Sequence, residues 1–293
     1  MAMTKSNTHI AQPLLASLFQ PALPPRKIDA HKGDAGSVAI VGGDKGMLGA
    51  VLLAARAALL MGAGRVYAAM LANDGLDVDL HYPEIMFRPS AELTLLKQLD
   101  ALVIGPGLGQ SDAAEAILAF WLTQDVKLVL DADALNLLAI HPHLQALCRA
   151  RSADTVITPH AAEAARLLGS SIDAVQKNRS DSALKLAYQF HASCVLKGPA
   201  SICAHHTGSY FINTSGNPSL ATAGMGDVLS GMVGSFMAQG LDGLAAIKLA
   251  VFVHGAAADK LLDDGVGPFG ITASELTLSA RAVLNQLNLA GPI

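Results

Sequence analysis

Short apolar runs alternate along the chain with longer segments of helical character. Ser37–Gly42 (SVAIVG) is a compact, β-branched run. The Ala/Leu-rich segment Met47–Met61 follows it and closes at Gly62 and Gly64, residues suited to helix termination. Further strand candidates are Arg65–Met70 (RVYAAM), Asp100–Gly105 (DALVIG), Val126–Asp131 (VKLVLD), Asp154–Pro159 (DTVITP) and Ser193–Gly198 (SCVLKG). Helices are predicted near Asp112–Leu122, from Ala134, over Ala161–Leu168 and around Ser180–His191. SICAHH and SYFIN read as a hairpin about Thr207–Gly208, and three more helices follow, near Asp227–Gln239, near Asp242–Leu262 and from Ala273. Apolar strands separated by helices predict an α/β fold, with a mostly parallel central sheet covered by helices on both faces. Residues 1–28 read as an N-terminal arm or a first helix, and 29–293 as a single domain.

Composition narrows the function classes. At 293 residues, 52% hydrophobic and 15% charged, the chain buries a large core and is not a disordered polymer. Its net charge of −4, with no basic block, argues against a nucleic-acid partner. Three cysteines with no CxxC spacing argue against structural zinc and a disulfide scaffold and for a reducing compartment. Cys194 and Cys203, both in strand-like runs, are expected to be buried inert thiols. The early apolar run is broken by Gln12, Pro13, Ser17 and Gln20, unlike a signal peptide. The most apolar later stretch, Leu244–Ala258, holds Lys248 and His254 and falls short of the roughly 20 apolar residues that cross a bilayer. A cytoplasmic protein with no membrane partner is expected.

The unusual residues gather at turns. GGDKG follows the first strand candidate, GPGLG the third, DAD the fourth, TPH the fifth and KGPAS the sixth. Ligands of parallel sheets bind outside the carboxyl ends of strands, so five such turns can line one crevice. Glycine there lets backbone amides approach a ligand closely. GxxxxGK[ST] does not occur, and neither Gly42, Gly43, Gly46 and Gly49 after the first strand candidate nor the GPGLG turn has the GxGxxG spacing, which disfavours a P-loop protein and an ordinary dinucleotide-binding dehydrogenase. The stronger signal is Gly224-Met225-Gly226-Asp227, just before a helix. Free amides and the positive end of the helix dipole suit a phosphate or an oxyanion. A carboxylate at the same point can take the proton of a hydroxyl attacking phosphorus. The competing reading is an ordinary helix-start acid, worth about 1 kcal/mol as a cap. Small residues Ser230, Gly231, Gly234 and Ser235 give the helix a narrow face for close packing.

In combination and order, HKGDAGSVAIVGG, GAVLLAARAALLMGAG, ALVIGPGLG, LVLDADALNLLA, ITPHAAEAARLLG, VLKGPAS and GNPSLATAGMGDVLSGMVGSFMAQG resemble the ADP/ATP-dependent NAD(P)H-hydrate dehydratases of the ribokinase-like superfamily. The likeness runs from about His31 to the end. It implies a repair reaction, in which the S-epimer of hydrated NADH or NADPH is phosphorylated on its ring hydroxyl and loses phosphate to restore the cofactor. ADP (or ATP) would be the co-substrate, accompanied by Mg²⁺. By the same resemblance, Asp227 is the general base, and the amides around Gly224, Met225 and Gly226 form the anion hole. Ala50, Gly107, His160 and Asp227 contact the hydrated dinucleotide; Lys197, Gly198, Pro199, Ala200, Ser201 and Gly226 contact the nucleotide. Glu163 would order the magnesium through water, against a competing role as a cap of its own helix. His160 has a structural hydrogen bond as its competing role. Asp131, Asp133 and Asn136 are expected to support the crevice, Asp131 being equally readable as a strand-end turn acid. Two departures stand out: KGPAS replaces the usual KGAGT, losing an amide at Pro199 and glycine's freedom at Ala200, and His160-Ala-Ala-Glu163 replaces HPGE.

A ribokinase-like kinase of a vitamin-precursor alcohol would use the same Asp227 and anion hole, and a nucleotide-binding regulatory protein could share the fold. Resemblance also implies a homotetramer, and an epimerase on a separate chain, since only the short arm precedes the fold. ADP against ATP, and NADH hydrate against NADPH hydrate, stay open.

Overall fold

The computed structural model describes residues 11–20, 22–72 and 76–289. Ten strands form one sheet: β1 (Gln12–Leu14), β2 (Ser37–Gly42), β3 (Arg65–Met70), β4 (Met86–Phe87), β5 (Ala101–Ile104), β6 (Lys127–Leu130), β7 (Thr155–Ile157), β8 (Ser193–Leu196), β9 (Ile202–His205) and β10 (Tyr210–Asn213). Their order is β1-β10-β9-β8-β7-β6-β5-β2-β3-β4. From β4 to β8 every pairing is parallel, so the carboxyl ends of these strands emerge along one edge of the sheet. β9 runs antiparallel to both β8 and β10, and the β9–β10 hairpin turns at Gly208, as the sequence predicts.

The helices are α1 (Leu48–Leu60), α2 (Asp112–Leu122), α3 (Asp133–Ile140), α4 (Pro142–Arg149), α5 (Ala161–Leu168), α6 (Ile172–Lys177), α7 (Arg179–Phe190), α8 (Met225–Ala238), α9 (Gly243–Asp263) and α10 (Ala273–Leu289). α1, α8, α9 and α10 cover one face and α2 to α7 the other. Side chains alternate between the two faces along each strand. Val38 and Ile40 point into the first layer while Ala39 and Val41 point into the second; Val103 divides from Leu102 and Ile104 in the same way. Burial on both faces is why these strands read as unbroken apolar runs. All three cysteines are free and buried; burial pushes the Cys148 thiol up to about 12 and raises those of Cys194 and Cys203 further, so all three stay protonated. Among the described residues, no helix is long and apolar enough to cross a membrane.

The structure adds elements that periodicity did not predict. Part of the expected N-terminal arm is a sheet strand, β1, paired in parallel with β10, while residues 1–10 lie outside the described residues. The two residues of β4 and the six of α6 are too short to carry a period of their own, and α4 follows α3 directly after His141, with no loop to mark it off in the sequence.

The small face of α8 packs as its spacing suggests. A Cβ on Gly231 would lie 2.0 Å from the Ala54 carbonyl oxygen of α1, and one on Gly234 would lie 2.4 Å from Val103 Cγ2 of β5. The helix that starts beside the sheet's carboxyl edge is thereby pressed against both α1 and the strands. Gly231→Ala is expected to cost about 2–3 kcal/mol, because the clash is with backbone and not with a movable side chain. Urea denaturation reads this directly; an unchanged midpoint would show that α1 and α8 can separate freely.

Candidate active site

Asp131 terminates β6 at the carboxyl edge and is fully buried. Its Oδ1 accepts a hydrogen bond from Lys197 Nζ at 2.7 Å, and its Oδ2 accepts a very short one from the Ser230 hydroxyl. The Thr158 hydroxyl adds a further hydrogen bond. Lys197 ends β8, Thr158 follows β7 and Ser230 lies on α8, so one carboxylate ties three strand ends to the helix. Burial pushes Asp131 toward neutrality, but the Lys197 charge and the hydrogen bonds from Lys197, Ser230 and Thr158 outweigh it and hold the carboxyl below its usual range. Burial works against the Lys197 cation, yet Asp131, Glu163 and Asp227 together raise its pKa. The pair is therefore ionised, a buried charge matched by a buried counter-charge.

α8 begins beside this pair. Gly224 caps it at φ 86°, a conformation open to glycine, and a Cβ there would strike Leu53 of α1 at 2.5 Å. No side chain caps the helix. Met225 gives its amide to the Thr222 carbonyl at 3.5 Å, while the amides of Gly226 and Asp227 have no protein acceptor among the described residues. A Cβ on Gly226 would sit 3.4 Å from Lys197 Nζ, so this helix start and the lysine share one space. The carbonyl of Met225 accepts from Nε2 of His254 on α9 at 3.0 Å. His254 is buried, which drives its pKa down to about 4 against the opposing effect of that bond; it is a neutral imidazole with its proton on Nε2.

Asp227 stands half-buried in the first turn. Desolvation first, and the charge on Asp131 second, push its carboxyl up to about 7, with Lys197 opposing. Two nearby carboxylates are thus split: Asp131 permanently charged, Asp227 poised to take up a proton near neutrality.

The other turns close around this point. Gly107 adopts φ 57°, and a Cβ on it would lie 3.4 Å from the Ala50 Cβ, so these two residues adjoin; Ala50 lies one turn before Leu53 on α1. Asp133 Oδ2 accepts from the Gly109 amide at 2.9 Å, and Asn136 bridges Asp133 to Arg166, so the DAD segment braces the GPGLG turn. His160 caps α5, its Nδ1 accepting from the Ala162 and Glu163 amides at 3.1 and 3.3 Å. Glu163 returns the contact, its Oε2 accepting from the His160 amide at 2.8 Å. The two form a capping box, so the structural roles weighed for His160 and Glu163 are both present. Burial, with the partly opposing influence of Lys197, raises the Glu163 carboxyl, while burial and then Lys197 lower His160.

Beside Lys197 and Gly226 opens a cavity of about 530 Å³, a volume suited to a nucleotide. Gly198, Pro199, Ala200 and Ser201 form one wall; Leu229, Val251 and His254 reach it from α8 and α9. The loop is held from behind by Arg179, which donates to the Leu196 carbonyl at 3.1 Å and to that of Lys197 at 3.5 Å. Arg179, His254, Ser230 and the pivotal position of Asp131 are contributions that sequence reasoning missed. Only the placement of DAD at a strand end hinted at the last.

A mostly parallel sheet whose carboxyl edge carries a nucleotide-sized cavity, and a glycine-opened helix bearing an acid, is the architecture of a ribokinase-like α/β protein. The family profile described as NAD(P)H-hydrate dehydratase matches residues 38–278, and the chain belongs to that family. The chain is 41% identical over 266 residues to the ADP-dependent (S)-NAD(P)H-hydrate dehydratase of Neisseria meningitidis, a match covering 89% of each protein. It is also 41% identical over 269 residues to the bifunctional NAD(P)H-hydrate repair enzyme of Coxiella burnetii, covering 90% of this chain and 54% of that one. The chain thus spans about half the length of the bifunctional relatives it matches. The crystal structure of the ADP/ATP-dependent NAD(P)H-hydrate dehydratase of Bacillus subtilis, obtained with ATP and Mg²⁺, superposes with a TM-score of 0.82 at 27% identity, covering 97% of this chain and all of that one.

The split carboxylates have a stability signature. A folded-state pKa raised to about 7 means that charging Asp227 costs stability above the unfolded value near 4 and costs it in full above 7. Asp227→Asn, which mimics the protonated acid, is therefore expected to be more stable than the parent at pH 8. After allowance for partial exposure the gain is of the order of 1–3 kcal/mol, fading as pH falls from 7 toward 4. Denaturation midpoints across that range check it; a pH-independent difference would contradict the raised pKa.

Proposed function

We propose that this chain catalyses the nucleotide-dependent dehydration of the S-epimer of NAD(P)H hydrate, with ADP as the preferred phosphoryl donor. The observation that carries the reading is Asp227, raised to about 7 beside the unpaired amides at the start of α8 and the Lys197 cation. The family membership and the Neisseria relative supply the substrate.

In this reading the ring hydroxyl lies against Asp227, between that carboxylate and the terminal phosphorus of the nucleotide. Asp227 takes the hydroxyl proton as the oxygen attacks phosphorus, and the bond to the leaving nucleoside phosphate breaks. The Gly226 and Asp227 amides and the positive helix end stabilise charge on the phosphoryl oxygens, with Lys197 beside them. Gly224 sets the turn that aims these donors, and Met225, its own carbonyl held by His254, keeps the first turn in place. The phosphorylated ring then expels phosphate, a far better leaving group than hydroxide. The ring nitrogen's lone pair drives that expulsion, and loss of a proton from the neighbouring carbon restores the reduced nicotinamide. Ala50 and Gly107, both without bulk, leave space for the hydrated dinucleotide, and the exposed edge of His160 adds a polar contact. The nucleotide occupies the cavity beside Lys197–Ser201.

Magnesium fits this site through water and not by direct coordination, because one Glu163 oxygen caps α5 and the other lies 3.3 Å from His160 Nε2. When bound with the nucleotide, the ion supplies neutralisation of phosphate charge. The proposal extends, by family resemblance, to a cytoplasmic homotetramer. Light scattering at four times 30.2 kDa is the expected mass, and a monomer would remove that part.

The deciding experiment supplies purified protein with the S-epimer of NADH hydrate, Mg²⁺, and ADP or ATP in parallel, and follows the near-ultraviolet absorbance of the reduced nicotinamide. Absorbance is expected to rise only with nucleotide, faster with ADP. Asp227→Asn is expected to lower turnover by at least about 100-fold while nucleotide binding persists. A flat trace from folded, nucleotide-binding protein would sink the dehydratase reading in favour of a kinase that leaves a stable phosphorylated alcohol.

A further inference from the structure

Away from the crevice, Glu115, His141 and His143 bring one carboxylate and two imidazoles to a single point. Glu115 lies in the first turn of α2. His141 ends α3 and starts α4, and His143 sits two residues on. The Pro142 between them occupies the first helical position, where its ring fixes the backbone. The two imidazoles therefore leave a stiff bend, their ring centres 5.6 Å apart. Glu115 reaches both: Oε2 is 3.4 Å from His141 Nε2 and Oε1 is 3.3 Å from His143 Nε2. One ligand atom from each residue lies within 4.8 Å of the others.

These separations bear on two uses of the cluster. Charge-assisted N–H···O bonds between an imidazolium and a carboxylate would close to about 2.7–2.9 Å. Donors on neighbouring corners of a zinc tetrahedron, each about 2.0–2.2 Å from the ion, stand about 3.3–3.6 Å apart. The observed 3.4 and 3.3 Å, one to each Glu115 oxygen, are longer than such charge-assisted bonds, and one ligand atom of each residue lies within 4.8 Å of the others, close enough for the three to converge on one ion. We propose that Glu115, His141 and His143 form a binding site for a divalent transition ion of the zinc class, with water in the fourth position. Two imidazole nitrogens and one carboxylate oxygen suit such an ion and not magnesium, which takes oxygen donors, so the ion that travels with a nucleotide is not the occupant. Partial exposure of all three side chains leaves an entry path. The ion would staple the start of α2 to the α3–α4 junction and so fix the far end of the helix that begins at Asp133.

The test uses the full chain, stripped with a chelator and free of nucleotide, titrated with zinc chloride against a chromophoric competitor. One zinc per chain is expected, bound at micromolar concentration or tighter, with a zinc-dependent rise in melting temperature. His143→Ala and Glu115→Gln are each expected to weaken binding at least tenfold and to abolish the rise. His143 is more than half exposed and Glu115→Gln preserves volume, so both variants should fold, which circular dichroism verifies. The stacked His191–His205–His206 group is the control: His206→Ala is expected to bind zinc as the parent does. Absence of saturable binding, or binding unaltered by both site variants, would overturn the proposal. So would loss of binding in His206→Ala alone.

Discussion

The buried Asp131–Lys197 ion pair is the constraint around which the crevice is built. Neither ion could stand alone where it is: an unpaired charge in that position would cost several kcal/mol or would neutralise. Paired, and completed by the Ser230 and Thr158 hydroxyls, the carboxylate fixes the relative positions of β6, β7, β8 and α8. It also fixes the electrostatics. Burial disfavours a charge at Asp227, the negative charge already residing at Asp131 adds to that effect against the pull of Lys197, and the acid is left near the pKa of a competent base. The same interaction that orders the strand ends thus contributes, after burial, to the protonation behaviour of the acid.

That arrangement needs α8 to begin at one particular place, and several weak features share the task. Gly224 supplies the left-handed turn, Gly231 and Gly234 allow the approach to α1 and β5, and His254 holds the Met225 carbonyl. Burial keeps His254 neutral, so it holds that carbonyl without adding a positive charge beside Lys197. A protonated histidine there would compete with Asp227 for the field of the site. The apolar setting of α9 is therefore part of the chemistry as well as of the core.

The sheet, the hairpin and most helices were legible because burial on two faces and helical spacing both leave long patterns in the sequence. The glycine-opened acid at residue 227 was legible because its neighbours are chemically unusual. Asp131 was only half legible: a strand-end acid is common, and its partners Lys197 and Ser230 lie 66 and 99 residues away in the chain. His254 was invisible for a related reason, since in sequence it is one polar residue in an apolar helix. β1 could not be foreseen because three residues carry no period and its partner β10 lies at the other end of the chain. Zinc had been disfavoured from the cysteine spacing alone; the His141-Pro-His143 bend acquires a third donor only when α2 is folded against it.

The KGPAS loop departs in sequence from the KGAGT pattern, yet one of its residues takes a backbone conformation that glycine favours. Ala200 stands at φ 51°, in the left-handed region that glycine enters freely and alanine enters at a cost of about 1–2 kcal/mol. The backbone has kept a glycine-like path without the glycine. Ser201 helps to hold it there, its hydroxyl accepting from the Gly198 amide at 3.3 Å and donating to the Gly198 carbonyl at 2.9 Å. Pro199 has no amide to offer, and that of Gly198 is occupied. The amides of Ala200 and Ser201, two residues that line the cavity, have no protein acceptor among the described residues. A strained, self-bonded loop with two free amides is already shaped for an anion, so the substitutions narrow the set of backbone contacts to a nucleotide without removing them.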